Sequence, residues 1–131
     1  MVIDSSAFVA IALREEGWDI LLTHAGSSQV IVAAPTLLET HLVLRSRLGE
    51  EAPRVIEFLL AKINVEVVAF GLEHYRAASI AFDRFGKGRH RAALNFGDCI
   101  SYALCRVSGQ PLLFVGEDFP LTDCPLFNGR G

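Results

Sequence analysis

Residues 1–13, Met1-Val2-Ile3-Asp4-Ser5-Ser6-Ala7-Phe8-Val9-Ala10-Ile11-Ala12-Leu13, decide the fold class. Met1 to Ile3 is a short apolar run of the kind a buried strand shows, and it stops at Asp4. Ser5 to Leu13 then reads as a helix. A strand that passes into a helix across one acidic residue opens a unit of a parallel sheet, and the same alternation continues downstream. Gly17 to His24 resumes helical periodicity after a break, and Gln29 to Ala33 is a second strand. Pro35 suits the first turn of a helix that runs to about Leu48 and is stopped by Gly49. Pro53 opens another, with Val55, Ile56, Leu59 and Leu60 as its apolar face.

Val65 to Ala69 is a third strand. The helix from Leu72 places Leu72, Tyr75, Ser79, Phe82 and Phe85 on or near one stripe, and Gly86 and Gly88 end it in a loop. Gly97 to Val107 is helical again, facing Ile100, Ala103, Leu104 and Val107 inward; Gly109 and Pro111 break it, and Leu112 to Val115 is the fourth strand. The pattern predicts one α/β domain over residues 1–131, a mostly parallel sheet of four to five short strands flanked by helices. No repeat, linker or low-complexity tract divides it.

Composition agrees with a packed domain. Of 131 residues, 51% are hydrophobic and 21% charged, which excludes a disordered chain. The net charge of -3 excludes a globally basic nucleic-acid binder but leaves room for a local basic patch. Only Lys62 and Lys87 among the 12 cations are lysines; the rest are arginines, the better fork for phosphate. The opening segment carries Asp4 and no basic region, so it fails as a signal peptide, and no apolar stretch is long enough for a membrane span. Cys99, Cys105 and Cys124 are odd in number and lack CxxC spacing, so they read as small buried hydrophobes. A soluble, cytoplasmic protein is the expectation.

Four carboxylates stand out by position. Asp4 follows the first strand, Glu39 lies early in the helix after the second, Asp98 begins a helix, and Asp118 lies just beyond the fourth strand. In an open parallel sheet, strand ends and helix beginnings gather at one edge, where ligand sites form. Each acid also has a plain structural role: Asp4 and Asp98 as helix caps, Asp118 as a turn former, Glu39 on a solvated helix face. Together, carboxylates crowded at a half-buried edge repel unless positive charge compensates them. Hard cations, Mg²⁺ or Mn²⁺, prefer such oxygen ligands and suit phosphoryl chemistry. Ser6 is placed to orient a ligand, a water or the Asp4 carboxylate, or simply to serve the first helical turn.

Arg84-Phe85-Gly86-Lys87-Gly88-Arg89-His90-Arg91 packs four cations into eight residues shortly before Asp98. It is a candidate clamp for a phosphate backbone, through Lys87, Arg89 and Arg91, or else a solvated loop. Its glycines match neither a Walker loop nor a dinucleotide-binding turn. His24, His41, His74 and His90 form no HExxH or zinc pattern and read as structural or surface groups, with His90 the one candidate RNA contact. No Gly-x-Ser-x-Gly elbow is present, and Cys99 lacks a histidine partner.

The sequence resembles PIN-domain ribonucleases, specifically the VapC toxins of bacterial toxin–antitoxin pairs, over essentially its whole length. The resemblance rests on Val2-Ile3-Asp4-Ser5-Ser6-Ala7, Pro35-Thr36-Leu37-Leu38-Glu39-Thr40, Phe85-Gly86-Lys87-Gly88-Arg89-His90, Leu94-Asn95-Phe96-Gly97-Asp98-Cys99, and Gly116-Glu117-Asp118-Phe119 with Thr122-Asp123. The opening motif is weak alone; the last two blocks are specific. The resemblance implies a three-layer α/β sandwich and a Mg²⁺- or Mn²⁺-dependent endoribonuclease whose ion is held by acids matching Asp4, Glu39, Asp98 and Asp118. Asp123 matches a less constant acidic position that helps with a second ion or water. Ser6 and Asn95, with the basic loop, fall on the substrate side. The implied reaction is in-line attack of activated water on an RNA phosphodiester, leaving a 5′-phosphate and a 3′-hydroxyl. A homodimer and a VapB-type antitoxin that lies across the toxin are implied as well. Glu117 departs from the family, where an uncharged polar residue is common.

The rival readings are a non-catalytic PIN-like module that binds RNA or a partner, an aspartyl phosphatase and a response-regulator receiver. Ser6 stands where the phosphatase needs its second acid, and no lysine lies near Asp118 for the receiver. The apolar stripes of Trp18–His24, Thr36–Leu48 and Pro53–Leu60 serve the core, an antitoxin groove or a dimer seam.

Overall fold

Asp4 ends the first strand and caps the first helix, and this switch sets the chain's course. The computed structural model describes residues 1–127, so residues 128–131 of the expected domain lie outside the described part. In chain order the elements are β1 (Val2–Ile3), α1 (Ser5–Ala12), α2 (Trp18–Gly26), β2 (Val30–Ala33), α3 (Ala34–Leu48), α4 (Ala52–Lys62), β3 (Val65–Val68), α5 (Leu72–Phe85), α6 (Phe96–Ser108) and β4 (Leu112–Leu113). Single 3₁₀ turns stand at Gly49–Glu51 and Phe119–Leu121. The sheet has four strands in the order β3-β2-β1-β4, and every pairing is parallel.

Successive strand residues point to opposite faces, so each face builds its own core. Val2, Ile31 and Leu112 pack with α5 and α6 on one side, through residues such as Ala81, Ile100 and Leu104. Ile3, Val30, Val32 and Leu113 pack with α1, α2 and α4 on the other, through Phe8, Ala25 and Leu59. That is the expected helix–sheet–helix layering. No helix among the described residues is long and apolar enough to cross a membrane.

Two expectations are corrected. The fourth strand stops at Leu113 rather than Val115, because the Val115 N–H leaves the ladder and donates to Ser6 Oγ at 3.0 Å. The chain then returns to the outer side of β4, where Leu126 bridges Leu112 in parallel. On α5, the Leu72–Phe85 stripe does not face the core: Leu72, Tyr75 and Phe82 are exposed, and of these five only Phe85 is buried. The helix instead turns His74, Ala81 and Phe85 inward, with Ala78 half-buried, because α6 packs closely against it and small side chains admit that approach. Tyr75, Ser79 and Phe82 line an outer apolar groove with Phe70, Phe96 and Cys99.

Candidate active site

The chain builds the sheet outward from β1 to β2 and β3, then returns to place β4 on the other side of β1. Strand order therefore reverses between β1 and β4, and the crevice beyond their C-terminal ends is the natural ligand position of such a sheet. Asp4 leaves β1 there, Asp118 follows β4, and α3 and α6 bring Glu39 and Asp98.

Asp4 is 3% exposed and is held from two directions. As the N-cap of α1, its Oδ2 accepts from the Ser6 backbone N–H at 3.1 Å and from Ser6 Oγ–H at 2.6 Å. Its Oδ1 accepts from Ser101 Oγ–H at 2.5 Å. Ser6 Oγ in turn accepts from Val115 N–H, so one hydroxyl ties the exits of β1 and β4 together. Asp4 thus performs the capping role that the sequence offers it, at the strand exit where the other reading places a ligand site.

Asp98 stands at the third position of α6 in a reciprocal cap: Asn95 N–H donates to its Oδ2 at 3.0 Å, and its own N–H donates to Asn95 Oδ1 at 2.9 Å. Asn95, a substrate-side candidate, is therefore engaged as the helix cap. Burial pushes the Asp98 carboxyl up to about 6; the Asn95 N–H opposes this, and the charges of Asp4, Asp118 and Glu39 reinforce it. Glu39 is raised too, first by burial, with the Ser5 side chain opposing and the Asp4 charge adding. Asp98 thus feels the charges of the other three acids and Glu39 that of Asp4, although they come from four separate segments.

Glu39 reaches its place because Gly97 has no side chain. A Cβ at Gly97 would lie 2.3 Å from Glu39 Oε2 and 2.6 Å from Oε1. Among the described residues, Glu39 Oε1 is buried with no hydrogen-bond partner. A carboxylate oxygen in that condition is costly unless a cation or donor reaches it. Neither of the two ion pairs among the described residues involves Asp4, Glu39, Asp98 or Asp118. An orphaned oxygen within a set of mutually repelling carboxylates fits an oxygen-seeking divalent ion. No three acidic, histidine or cysteine side chains among the described residues are drawn in to hold one ion as they stand. Like charges push such a set apart when no cation lies between them.

The remaining candidates divide. Lys87, Arg89 and Arg91 are exposed on the loop between α5 and α6, and none is ion-paired among the described residues. Arg89 lies 5.6 Å from the Phe82 ring centroid. Arg84, from the same basic run, is instead engaged by Asp123 at 3.2 Å. Asp123 also accepts from the Tyr102 hydroxyl, and its charge is not among those that raise Asp98. His90 Nδ1 accepts from Ala92 N–H at 3.0 Å and His74 Nδ1 from Gly71 N–H at 3.0 Å, so both have structural work. Burial, and then Asp98, pushes the Cys99 thiol up to about 11, and all three cysteines are buried and unpaired. Gly97, Ser101 and Tyr102 do not stand out in the sequence; the signal for Ser101 is its place three residues after Asp98, on the same helix face.

A PIN domain family model matches residues 1–123. The chain is 48% identical over 124 residues to a ribonuclease VapC of Mycolicibacterium smegmatis, covering 94% of this chain and 96% of that protein. It is 46% identical over 125 residues to ribonuclease VapC36 of Mycobacterium tuberculosis, covering 94% of this chain and 90% of the other. The crystal structure of Mycobacterium tuberculosis VapC20, a sarcin–ricin loop cleaving toxin, matches with a TM-score of 0.75 at 20% identity over 94% of this chain and 95% of that one. That last likeness bears on the fold alone. The four acids at the sheet's switch point therefore belong to a member of the PIN-domain family, of the VapC ribonuclease kind.

Proposed function

We propose that this chain is a Mg²⁺- or Mn²⁺-dependent endoribonuclease toxin that hydrolyses RNA phosphodiesters. The observation that carries the reading is Glu39 Oε1, buried without a hydrogen-bond partner among the described residues, with the charges of Asp4 and Asp98 acting on the same carboxylate. When bound, a divalent ion supplies an activated water and offsets the charge of the scissile phosphate. Asp4, Glu39, Asp98 and Asp118 hold it, and the Ser6 and Ser101 hydroxyls fix the direction of Asp4. Lys87, Arg89 and Arg91 take the phosphates that flank the cleavage point. Set in the cytoplasm, such a site meets RNA directly.

Two partner surfaces accompany this reading. A groove of about 450 Å³ between α1, α2 and α4 is lined by Trp18, Leu22, Val55 and Phe58 and rimmed by Arg14, Arg54 and Lys62. Apolar floor and cationic rim suit an amphipathic, acidic segment of a VapB-type antitoxin. The exposed Tyr75 and Phe82 of α5, beside the strongly exposed Phe96, supply an apolar face for a homodimer.

The test is cleavage of RNA by purified protein with Mg²⁺ or Mn²⁺, stopped by EDTA. Asp4→Asn and Asp98→Asn should abolish cleavage with the fold intact by circular dichroism. Full activity in both variants would overturn the reading. Cation-dependent RNA binding without cleavage by the unmutated protein would favour the non-catalytic module instead.

A further inference from the structure

The stretch that carries Asp118 is thinly supported. Residues 115–118 are all exposed, Gly116 has φ +118°, and Val115 N–H holds only the Ser6 hydroxyl at its upstream end. Downstream, Phe119 enters the core and the 3₁₀ turn Phe119–Leu121 follows. Thr122 Oγ–H donates to the Phe119 carbonyl at 2.7 Å and accepts from Cys124 N–H at 3.1 Å, which turns the chain and presents Asp123 to the α5–α6 pair.

There both oxygens of Asp123 are taken. Tyr102 Oη–H donates to Oδ1, and the Arg84 guanidinium donates to Oδ2 at 3.2 Å. Tyr102 is 3% exposed and lies one turn beyond Asp98 on α6. The helix that presents Asp98 to Asp118 therefore also grips the residue five places after Asp118. The neighbours are those of an ion pair: Arg84 and Arg106 act on Asp123, whereas Asp4, Glu39 and Asp118 act on Asp98.

We infer that Asp123 is a tether that, through Tyr102 and Arg84, holds the 115–122 loop so that Asp118 stays facing Asp98, and that it is not itself a cation ligand. It is a positioning residue, acting on the site only through Asp118. The inference rests on the reading of Asp118 as part of the cation site.

Amide hydrogen exchange of the metal-free full chain tests this, comparing the unmutated protein with Tyr102→Phe, Asp123→Ala and Asp118→Asn. Loss of a hydrogen bond to a charged acceptor should speed exchange of residues 116–122 by about tenfold in Tyr102→Phe and Asp123→Ala, leaving α6 amides and the Asp118→Asn loop unmoved. Arg84→Gln, at an exposed position, carries the same expectation if Tyr102→Phe folds poorly. Mn²⁺ titration should then show weaker uptake in both tether variants, with the number of ions per chain unchanged. Exchange unmoved by Tyr102→Phe and Arg84→Gln, or one ion fewer in Asp123→Ala, would overturn the tether. If the unmutated chain takes up no Mn²⁺, the cation reading fails, while the exchange rates still decide the tether.

Discussion

Ser101 and Asp4, 97 residues apart, meet in a buried hydrogen bond of 2.5 Å from Ser101 Oγ–H to Asp4 Oδ1. With Ser6 on the other oxygen, the carboxylate cannot rotate without losing a donor. Removing one donor from a buried charged acceptor costs about 2 kcal/mol. Ser101→Ala should lose about that much stability in urea unfolding. A double-mutant cycle with Asp4→Asn should show coupling of about 1 kcal/mol or more.

Gly97→Ala separates stability from site geometry. Alanine is the better helix former, though in the first turn, where Gly97 lies, the gain is less than the about 1 kcal/mol of an interior position. The obstacle is the carboxylate of Glu39, the movable end of a flexible side chain. The variant is therefore expected to melt near or above the unmutated protein while Mn²⁺ affinity and RNA cleavage fall more than tenfold. Thermal unfolding and a Mn²⁺ titration of the same sample check both halves.

The pH dependence follows from Asp98, raised from 3.8 to about 6, with Glu39 raised in the same direction. The folded chain binds the extra proton between those values. The stability that Asp98 contributes without added metal is therefore full below about 4 and is lost as pH rises through about 6. Cation uptake needs the deprotonated group and runs the other way, strengthening through the same range. Denaturant midpoints and Mn²⁺ affinities from pH 4 to 8 should cross in this manner, and Asp98→Asn should flatten the stability trend.

Arg89→Ala tests the basic loop. Removing one phosphate-binding cation should weaken RNA binding and lower the slope of log affinity against log salt by about 0.7 to 1. Binding measured from 50 to 300 mM salt reads this directly. An unchanged slope removes Arg89 from the interface.

The parts of the candidate site legible in the sequence are those set by chain position. Asp4, Glu39, Asp98 and Asp118 stand at strand exits or early in helices, and a parallel sheet brings such positions to one edge whatever the packing details. The groups that finish the site depend on which faces meet. Ser101 contacts Asp4, Gly97 makes room for Glu39, and Tyr102 and Arg84 engage Asp123, over separations of 97, 58, 21 and 39 residues. No local pattern carries that information. The α5 stripe misleads for a related reason: periodicity marks an apolar face but does not say whether it meets the core or an outer groove, and Tyr75 and Phe82 take the groove.

The two margins of the sheet are guarded by different means. Beyond β4 the chain's own tail occupies the border, with Leu112 N–H bonded to the Pro125 carbonyl and Phe127 N–H to the Leu112 carbonyl. At β3, paired among the described residues only with β2, no described strand covers the border, and exposed Val67 sits beside exposed Glu66. A single mid-strand charge is the usual deterrent to a stranger's strand adding there. Neutralising Glu66 would leave the molecule a sticky flank on that side alone, and chain-to-chain β association would begin at it.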